Sequence, residues 1–197
     1  MTALLVLTFI YFDRLVAMLR GLVADVSIGI GTGGAGGFTT LVDTTGTTTD
    51  NTAINTSFTR NGQTFTTPAS TVSNLRCSWR LWISGDGGGI INARLYATSG
   101  SVPTGSPIAT SAETVDLTDL PGTKPTEFNG IFNFTGLSLA TSTLHAIAIE
   151  YTVGPVPGES VNLQRVGNTY GGGTHVAFTS SWLTLGTEDL ELKIEYS

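Results

Sequence analysis

The feature that most constrains the fold is a regular alternation of apolar and polar residues over two neighbouring runs, 75–83 and 91–97. A period of two residues is typical of a β-strand with one face on a core. The segment between the runs, Gly85-Asp86-Gly87-Gly88-Gly89, is typical of a hairpin tip. We therefore predict a long hairpin at the centre of an antiparallel sandwich. Its core-facing positions are Leu75, Cys77, Trp79, Leu81, Ile83, Ile91, Ala93, Leu95 and Ala97.

Short β-prone segments separated by turn signals continue through residues 38–197. The Asn61-Gly62 pair predicts a hairpin turn, and residues 44–55 predict a loop rich in Thr, Asn and Asp. Residues 144–151 are apolar on both faces, which predicts a central strand. This pattern indicates an all-β fold, an antiparallel β-sandwich or jelly roll. Further strands are predicted at 38–43, 54–59, 63–67, 128–134, 161–165 and 190–196.

Few residues of the chain carry a charge: 12%, against roughly 25% in an ordinary soluble domain. The net charge is -6 and there is no basic run, which argues against nucleic acid as a partner because phosphate binding needs clustered Lys and Arg. Cys77 is the only cysteine, so an intrachain disulfide and a Cys-based zinc site are excluded. Its place in an apolar alternation predicts a small core residue.

Residues 1–30 form an apolar segment of different character, which we interpret as an amino-terminal arm followed by a Gly-rich linker at 31–37 and the sandwich domain at 38–197. Apolar residues recur three or four positions apart in the arm, as on one face of an amphipathic helix. The residues that we predict to bind a partner are Leu5, Phe9, Phe12, Val16, Leu19 and Val23.

Three interpretations of the arm compete. A transmembrane helix needs about 20 consecutive apolar residues, but Asp13, Arg14 and Arg20 interrupt the run, and each central charge costs about 2.5–3.5 kcal/mol. A signal peptide begins with a positive region, yet no Lys or Arg precedes the apolar run. An arm that is buried against another protein is favoured, because an exposed apolar stripe would aggregate. Met18 is an alternative start, with residues 1–17 as an upstream extension.

The sequence predicts no catalytic, cofactor-binding or metal site. No Ser or Asp stands in a recognisable triad or nucleophile-elbow context, so His145 and His175 are interpreted as structural or surface residues. Sequence alone leaves open that the two histidines meet in space. Asp86, Asp116 and Asp119 offer oxygens that calcium accepts, but no EF-hand spacing is present and Asp is a common turn former.

The three tryptophans are the large flat rings that a carbohydrate site would use. Trp79 shares the parity of the apolar positions and is predicted in the core. Trp82 has the opposite parity and is predicted to be exposed or at a subunit contact. Trp82 is therefore the residue that we expect at a glycan contact, if the protein has one.

Two stretches of the chain resemble a known module. The run ARLYATSGSVPTGSPIATS at 93–111 and the run LSLATSTLHAIAIEY at 137–151 look like a β-sandwich module of bacteriophage virion proteins and bacterial surface proteins. The resemblance covers residues 63–152, and it implies a Gly/Pro turn after the first strand and a non-catalytic structural or accessory domain. It implies no catalytic residue. His145 stands where the module usually has Tyr, and the arm is not part of the module.

Together these observations predict a non-enzymatic structural protein of a virus particle, located in the virion. A bacteriophage capsid decoration (cement) protein, or another head or tail subunit, is the favoured form, with the arm as its anchor and a homo-oligomer such as a trimer as its assembly state. Other virion proteins are the expected partners, and membrane binding and cofactors are not expected. The alternative is a carbohydrate-binding adhesion module on a phage fibre or a bacterial surface.

Overall fold

A computed structural model describes residues 37–46, 48–85, 88–154, 157–186 and 188–197, without the side chains of Thr48 and Thr49. The chain divides into two compact units, Met1–Gly36 and Gly37–Ser197, and all described residues belong to the second. The predicted arm and its partner-binding residues therefore lie outside the described residues. None of the described segments contains a helix with the length and hydropathy that a membrane crossing requires.

The described residues have an all-β fold, which confirms the predicted class. Their one short helical element is a 3-10 turn at Leu117–Asp119, which Asp116 caps by accepting from the backbone N–H of Thr118. The strands are β1 (Thr39–Asp43), β2 (Thr48–Ile54), β3 (Arg60–Thr66), β4 (Leu75–Trp79), β5 (Leu81–Ser84), β6 (Ile90–Ser99), β7 (Val102–Asp116), β8 (Gly130–Phe134), β9 (Leu144–Val153), β10 (Ser160–Val166), β11 (His175–Phe178), β12 (Trp182–Thr184), β13 (Asp189–Leu190) and β14 (Leu192–Tyr196).

These strands form three antiparallel sheets. The first four-stranded sheet has the order β1-β14-β4-β8. In the second, which we call the β10 sheet, β2 lies on one side of β10, and β5 and β13 lie one after the other on its opposite side. The six-stranded sheet has the order β12-β11-β3-β9-β6-β7, so β9 is a central strand, as its two apolar faces predict.

The two smaller sheets are joined at a corner where three chain segments change sheet. Thr44 lies between β1 and β2, Arg80 between β4 and β5, and Glu191 between β13 and β14. The Thr44 hydroxyl accepts from the N–H of Leu192 at 2.8 Å and donates to the carbonyl of Leu190 at 2.5 Å. Arg80 Nη1 lies 2.6 Å from Glu191 Oε1. Arg80 thus binds Glu191 across the corner, and Thr44 binds the residues on either side of Glu191.

One apolar core joins the three sheets into a sandwich. It contains residues from all three, such as Leu75 and Trp79 of β4, Leu163 of β10, and Leu95 and Ile147 of the six-stranded sheet. All of these side chains are fully buried. The predicted core positions of both alternating runs are confirmed except at the run ends, where Ile83 and Ala97 are only partly buried.

The predicted central hairpin is wrong. β4 and β5 belong to the two smaller sheets, whereas β6 pairs with β7 and β9 in the six-stranded sheet. The glycine-rich segment therefore connects opposite sides of the core instead of two paired strands. Periodicity defines which face of a strand is buried, and strands that approach the core from opposite sides show the same pattern.

The predicted turn at Asn61-Gly62 is also wrong, because both residues lie inside β3, in the interior of the six-stranded sheet. A Cβ at Gly62 would lie 2.2 Å from the carbonyl oxygen of Ile147 on β9. Glycine is needed there for a close approach of two strands. Residues 44–55, predicted as a loop, contain β2.

The turn implied by the resemblance is present after β6 but is limited to Gly100 and Ser101, and Pro103 and Pro107 lie in the edge strand β7. An edge strand tolerates proline because one side of its backbone has no partner strand. Glu113 of β7 reaches the edge of the first four-stranded sheet, where Oε2 accepts from the N–H of Asn133 on β8 at 2.6 Å and Oε1 accepts from its Nδ2 at 2.7 Å. This carboxylate links the two layers at their edges.

Candidate functional site

The six-stranded sheet carries a second apolar cluster on the face that points away from the main core. Strand register places Tyr96 opposite Ala146 and Arg94 opposite Ala148. Tyr96, Ala146 and Ala148 are fully buried, and Trp182 packs against them. The small side chains in the middle of this face leave room for the two large rings.

This outer face is strongly curved. Trp182 lies on β12 and Tyr96 on β6, four strand positions apart, which in a flat sheet corresponds to about 19 Å. Their ring centroids are 5.3 Å apart at an interplanar angle of 69°. The two edge strands of the sheet, β7 and β12, also contact each other. The sheet therefore curls around its outer face and brings distant strands together.

An arginine and two aromatic rings form the half-exposed part of this face. The Arg60 guanidinium carbon lies 4.3 Å from the ring centroid of Phe178 and 5.7 Å from that of Trp182. The Phe178 and Trp182 rings meet at 70° with centroids 5.3 Å apart. A guanidinium over an aromatic face is attracted by the negative π-surface of the ring.

A buried carboxylate lies beneath this arginine. The side chain of Glu150 is 4% exposed, and its Oε2 lies 3.2 Å from Arg60 Nε and 3.2 Å from Arg94 Nη1. Its Oε1 accepts a short hydrogen bond from the hydroxyl of Tyr96. Burial, followed by the bond to the Glu150 carboxylate, raises the pKa of Tyr96 well above its ordinary value, so the phenol stays a donor.

Two polar atoms beside this carboxylate are buried without a hydrogen-bond partner among the described residues: Asn92 Oδ1 and Arg94 Nε. Asn92 lies directly opposite Glu150 in the strand register. Buried polar atoms are ordinarily hydrogen-bonded, so these two atoms lack a partner that most buried polar atoms have. The Trp182 face, as we call this surface, comprises Arg60, Asn92, Arg94, Tyr96, Glu150, Phe178 and Trp182.

The two histidines have separate structural environments. His175 is fully buried, and its Nε2 lies 2.9 Å from Oδ1 of Asn61, whose Nδ2 donates to the carbonyl of Ala53. Burial, and then the positive charge of Arg165, lowers the pKa of His175 to about 3. His145 is buried beside the ring of Phe65, and burial lowers its pKa also. Neither histidine contacts a nucleophile among the described residues.

Asp189, the first residue of β13, is a buried acidic residue that sequence reasoning missed. Its Oδ1 accepts from Gln63 Nε2 at 2.7 Å, and its Oδ2 accepts from the backbone N–H groups of Thr169 and Tyr170 at 2.9 and 2.7 Å. Asp189 lines a polar pocket of about 140 Å³ with Glu188 and Gly173. Since both carboxylate oxygens accept bonds from the chain itself, this pocket has the character of a satisfied structural site.

The aspartates that were considered as calcium ligands do not form a metal site among the described residues. In that part of the chain, no group of three His, Cys, Asp or Glu residues could hold an ion. The side chain of Asp116 caps the 3-10 turn, and Asp86 lies outside the described residues. Hydrogen bonds from the backbone and hydroxyl of Thr118 hold the pKa of Asp116 below its ordinary value.

The sequence prediction is correct for Trp79 and Cys77 but wrong for Trp82. Trp79 and Cys77 are fully buried in the core as predicted. The prediction that Trp82 is exposed is wrong: it is 7% exposed, although its parity is opposite to that of the core residues. The possible glycan contact at Trp82 therefore loses the exposure on which it rested. Trp182 is the half-exposed tryptophan of a curved sheet face.

Sequence reasoning missed most of the Trp182 face. One signal was present: Asn92, Arg94 and Tyr96 occupy the same parity of β6, opposite to that of the core residues. The residues of β3, β9 and β12 that complete the face come together only through long-range strand register. No local pattern encodes that register.

Comparisons with known proteins do not identify the chain. No family model matches it, and no curated protein matches it. Among solved structures, it is similar to the crystal structure of the cysteine protease and lectin-like domains of Cwp84, a surface layer associated protein of Clostridium difficile. That likeness has 10% sequence identity and a TM-score of 0.44, and it covers 71% of this chain and 32% of the other. The chain thus spans about a third of the length of that protein.

Proposed function

We propose that the chain is a non-enzymatic structural subunit of a virus particle: a bacteriophage capsid decoration protein, or another head or tail subunit, anchored through residues 1–30. The observation that carries this proposal is the apolar stripe of the arm, which includes Phe9 and Phe12. An exposed apolar stripe of this kind would aggregate, so the arm is suited to bind another protein.

The charge distribution supports an assembly role. Each lysine and arginine of the described residues is within ion-pair distance of an Asp or Glu. Much of the remaining surface consists of Thr, Ser, Asn and Gly, which can pack against neighbouring proteins with little desolvation of charge. A subunit whose cations are engaged within its own fold also has little attraction for nucleic acid.

The anchor is tested by measuring the mass of the full chain in solution by light scattering. We expect a homo-oligomer for the wild type and a monomer for the double variant Phe9→Ser with Phe12→Ser, because two anchoring rings are lost. Thr8→Ser, a polar position of the same segment, is the matched control. A monomeric wild type, or an oligomer that the double variant leaves intact, would overturn the anchor.

A second function is favoured by one specific observation, the aromatic rings and arginines of the Trp182 face. Half-exposed aromatic rings beside hydrogen-bonding groups are suited to the apolar face and hydroxyl groups of a sugar. We therefore also propose a carbohydrate-binding role, on a phage fibre or a bacterial surface, at Trp182 instead of the predicted Trp82. Screening on a glycan array tests it, with Trp182→Ala expected to lose binding and Phe38→Ala, an exposed ring on the first four-stranded sheet, expected to keep it.

A further inference from the structure

The Trp182 face holds two positive charges against one negative charge. The guanidinium groups of Arg60 and Arg94 both lie against the same oxygen, Glu150 Oε2. Arg60 Nε and Arg94 Nη1 make the closest contacts, and a guanidinium has five N–H donors in a planar fork. Among the described residues, Glu150 is the one carboxylate paired with either arginine.

The carboxylate already present is not able to satisfy both arginines. Glu150 Oε1 is engaged by the hydroxyl of Tyr96, so only Oε2 faces the guanidinium groups. The two guanidinium groups therefore share one acceptor atom, Glu150 Oε2. A second carboxylate would balance the charges and supply the acceptors, since arginine binds carboxylates through two parallel hydrogen bonds.

Aromatic rings lie directly beside the Arg60 guanidinium. Trp182 and Phe178 are half-buried, and their rings pack edge to face around the Arg60 guanidinium. An apolar ring surface next to paired arginines matches a ligand that carries a carboxylate on a pyranose ring, whose C–H face packs on the aromatic surface. A flexible acidic peptide would use the arginines but has less rigid apolar surface to place on Trp182.

We propose that the Trp182 face binds an acidic sugar, a glycan with a carboxylate on its terminal pyranose ring. The ligand carboxylate contacts Arg94 and Arg60, whose side chains are each 29% exposed, and the pyranose ring stacks on Trp182. This inference rests on the carbohydrate-binding role proposed above and names its ligand class. Glu150 and Tyr96 act as positioning residues, because they hold the two guanidinium groups in place from below.

The test is titration calorimetry of the full chain with three groups of probes: glucuronate-, galacturonate- and sialate-terminated oligosaccharides, neutral oligosaccharides of the same length, and an Asp/Glu-containing peptide. We expect binding of at least one acidic sugar, weakening as NaCl is raised, and no binding of its neutral counterpart. Equal binding of neutral and acidic sugars would overturn the proposal of an acidic ligand but would still support a carbohydrate site. Binding of the peptide alone, or of no sugar, would overturn both.

Two variants and a matched control locate the site. Arg94→Lys keeps the charge beside Glu150 but removes the fork, and we expect it to weaken acidic-sugar binding by about 10- to 100-fold. Trp182→Phe keeps an aromatic ring in the packed cluster and is expected to weaken binding less. Arg76→Lys is the control, because Arg76 makes a similar contact with a carboxylate and the ring of Phe38 on another sheet. Equal effects of Arg94→Lys and Arg76→Lys would refute the site.

Discussion

Acidification between pH 7 and pH 5 is expected to destabilise the sandwich mainly through His175. The folded pKa of about 3 lies below the ordinary value of 6.5, so the folded state resists a proton that the unfolded chain accepts. The stability that depends on a neutral His175 is therefore fully present above about pH 6.5 and is lost as the pH falls toward 3. Nε2 is bonded to Asn61, so the added proton would be placed on the buried Nδ1, which has no partner among the described residues.

The magnitude follows from the difference in proton affinity. At pH 5 the protonated form of an ordinary histidine in the unfolded chain outnumbers the neutral form by about 30 to 1. This ratio corresponds to about 2 kcal/mol of lost stability. The carboxylate of Glu113 contributes at a lower pH than His175. Burial raises the pKa of Glu113, but hydrogen bonds from Asn133 outweigh it and leave the pKa below its ordinary 4.5, so its contribution is lost only at lower pH.

The loss of stability is measured by urea unfolding at pH 7 and at pH 5, with tryptophan fluorescence as the signal. His175→Gln keeps an amide donor for Asn61 and cannot titrate, so we expect it to lose about 2 kcal/mol less than the wild type over this range. That difference corresponds to a midpoint change of about 1 M urea. His145→Gln removes the second histidine with a lowered pKa and serves as the comparison. Equal pH dependence in the wild type and His175→Gln would refute the reasoning.

Two further substitutions test the packing of the sandwich. Gly62→Ala is expected to destabilise the protein by about 2–4 kcal/mol in urea unfolding, because its Cβ meets the backbone of β9, whereas Gly122→Ala, with nothing within 4 Å, should stay within about 1 kcal/mol of the wild type. Glu113→Gln is expected to cost about 1–2 kcal/mol, since a side-chain amide cannot accept both bonds from Asn133, and the exposed Glu127→Gln should have little effect. Unchanged midpoints for Gly62→Ala or Glu113→Gln would show that these contacts do not support the fold.

The sequence predicts which face of a strand is buried better than it predicts which strands pair. The odd positions of 75–81 and 91–95 enter the core as expected, because alternation is a local property. The partners of these strands are set by contacts far apart in sequence, such as Leu192 beside Trp79. Asn61-Gly62 shows the same limit, since a pair that favours a turn is held inside β3 by its neighbours.

The Trp182 face was still less accessible to sequence reasoning. Arg60 and Glu150 are 90 residues apart in the chain and become opposite positions only through the register of β3 and β9. Trp182 reaches Tyr96 because the sheet curls, and curvature has no signature in apolar periodicity. The predicted exposure of Trp82 was wrong for a related reason. Parity shows that a residue lies on the second face of a strand, but it does not show whether other residues cover that face.

The corner formed by Thr44, Arg80 and Glu191 has a consequence for how the protein opens. Three chain segments run from one small sheet into the other through this single line of contacts, so neither sheet can detach without pulling on its neighbour. Backbone amides of β4 and β10 should therefore exchange with deuterium at a common opening free energy, as parts of one cooperative unit. The two four-stranded sheets would then unfold together and not one after the other.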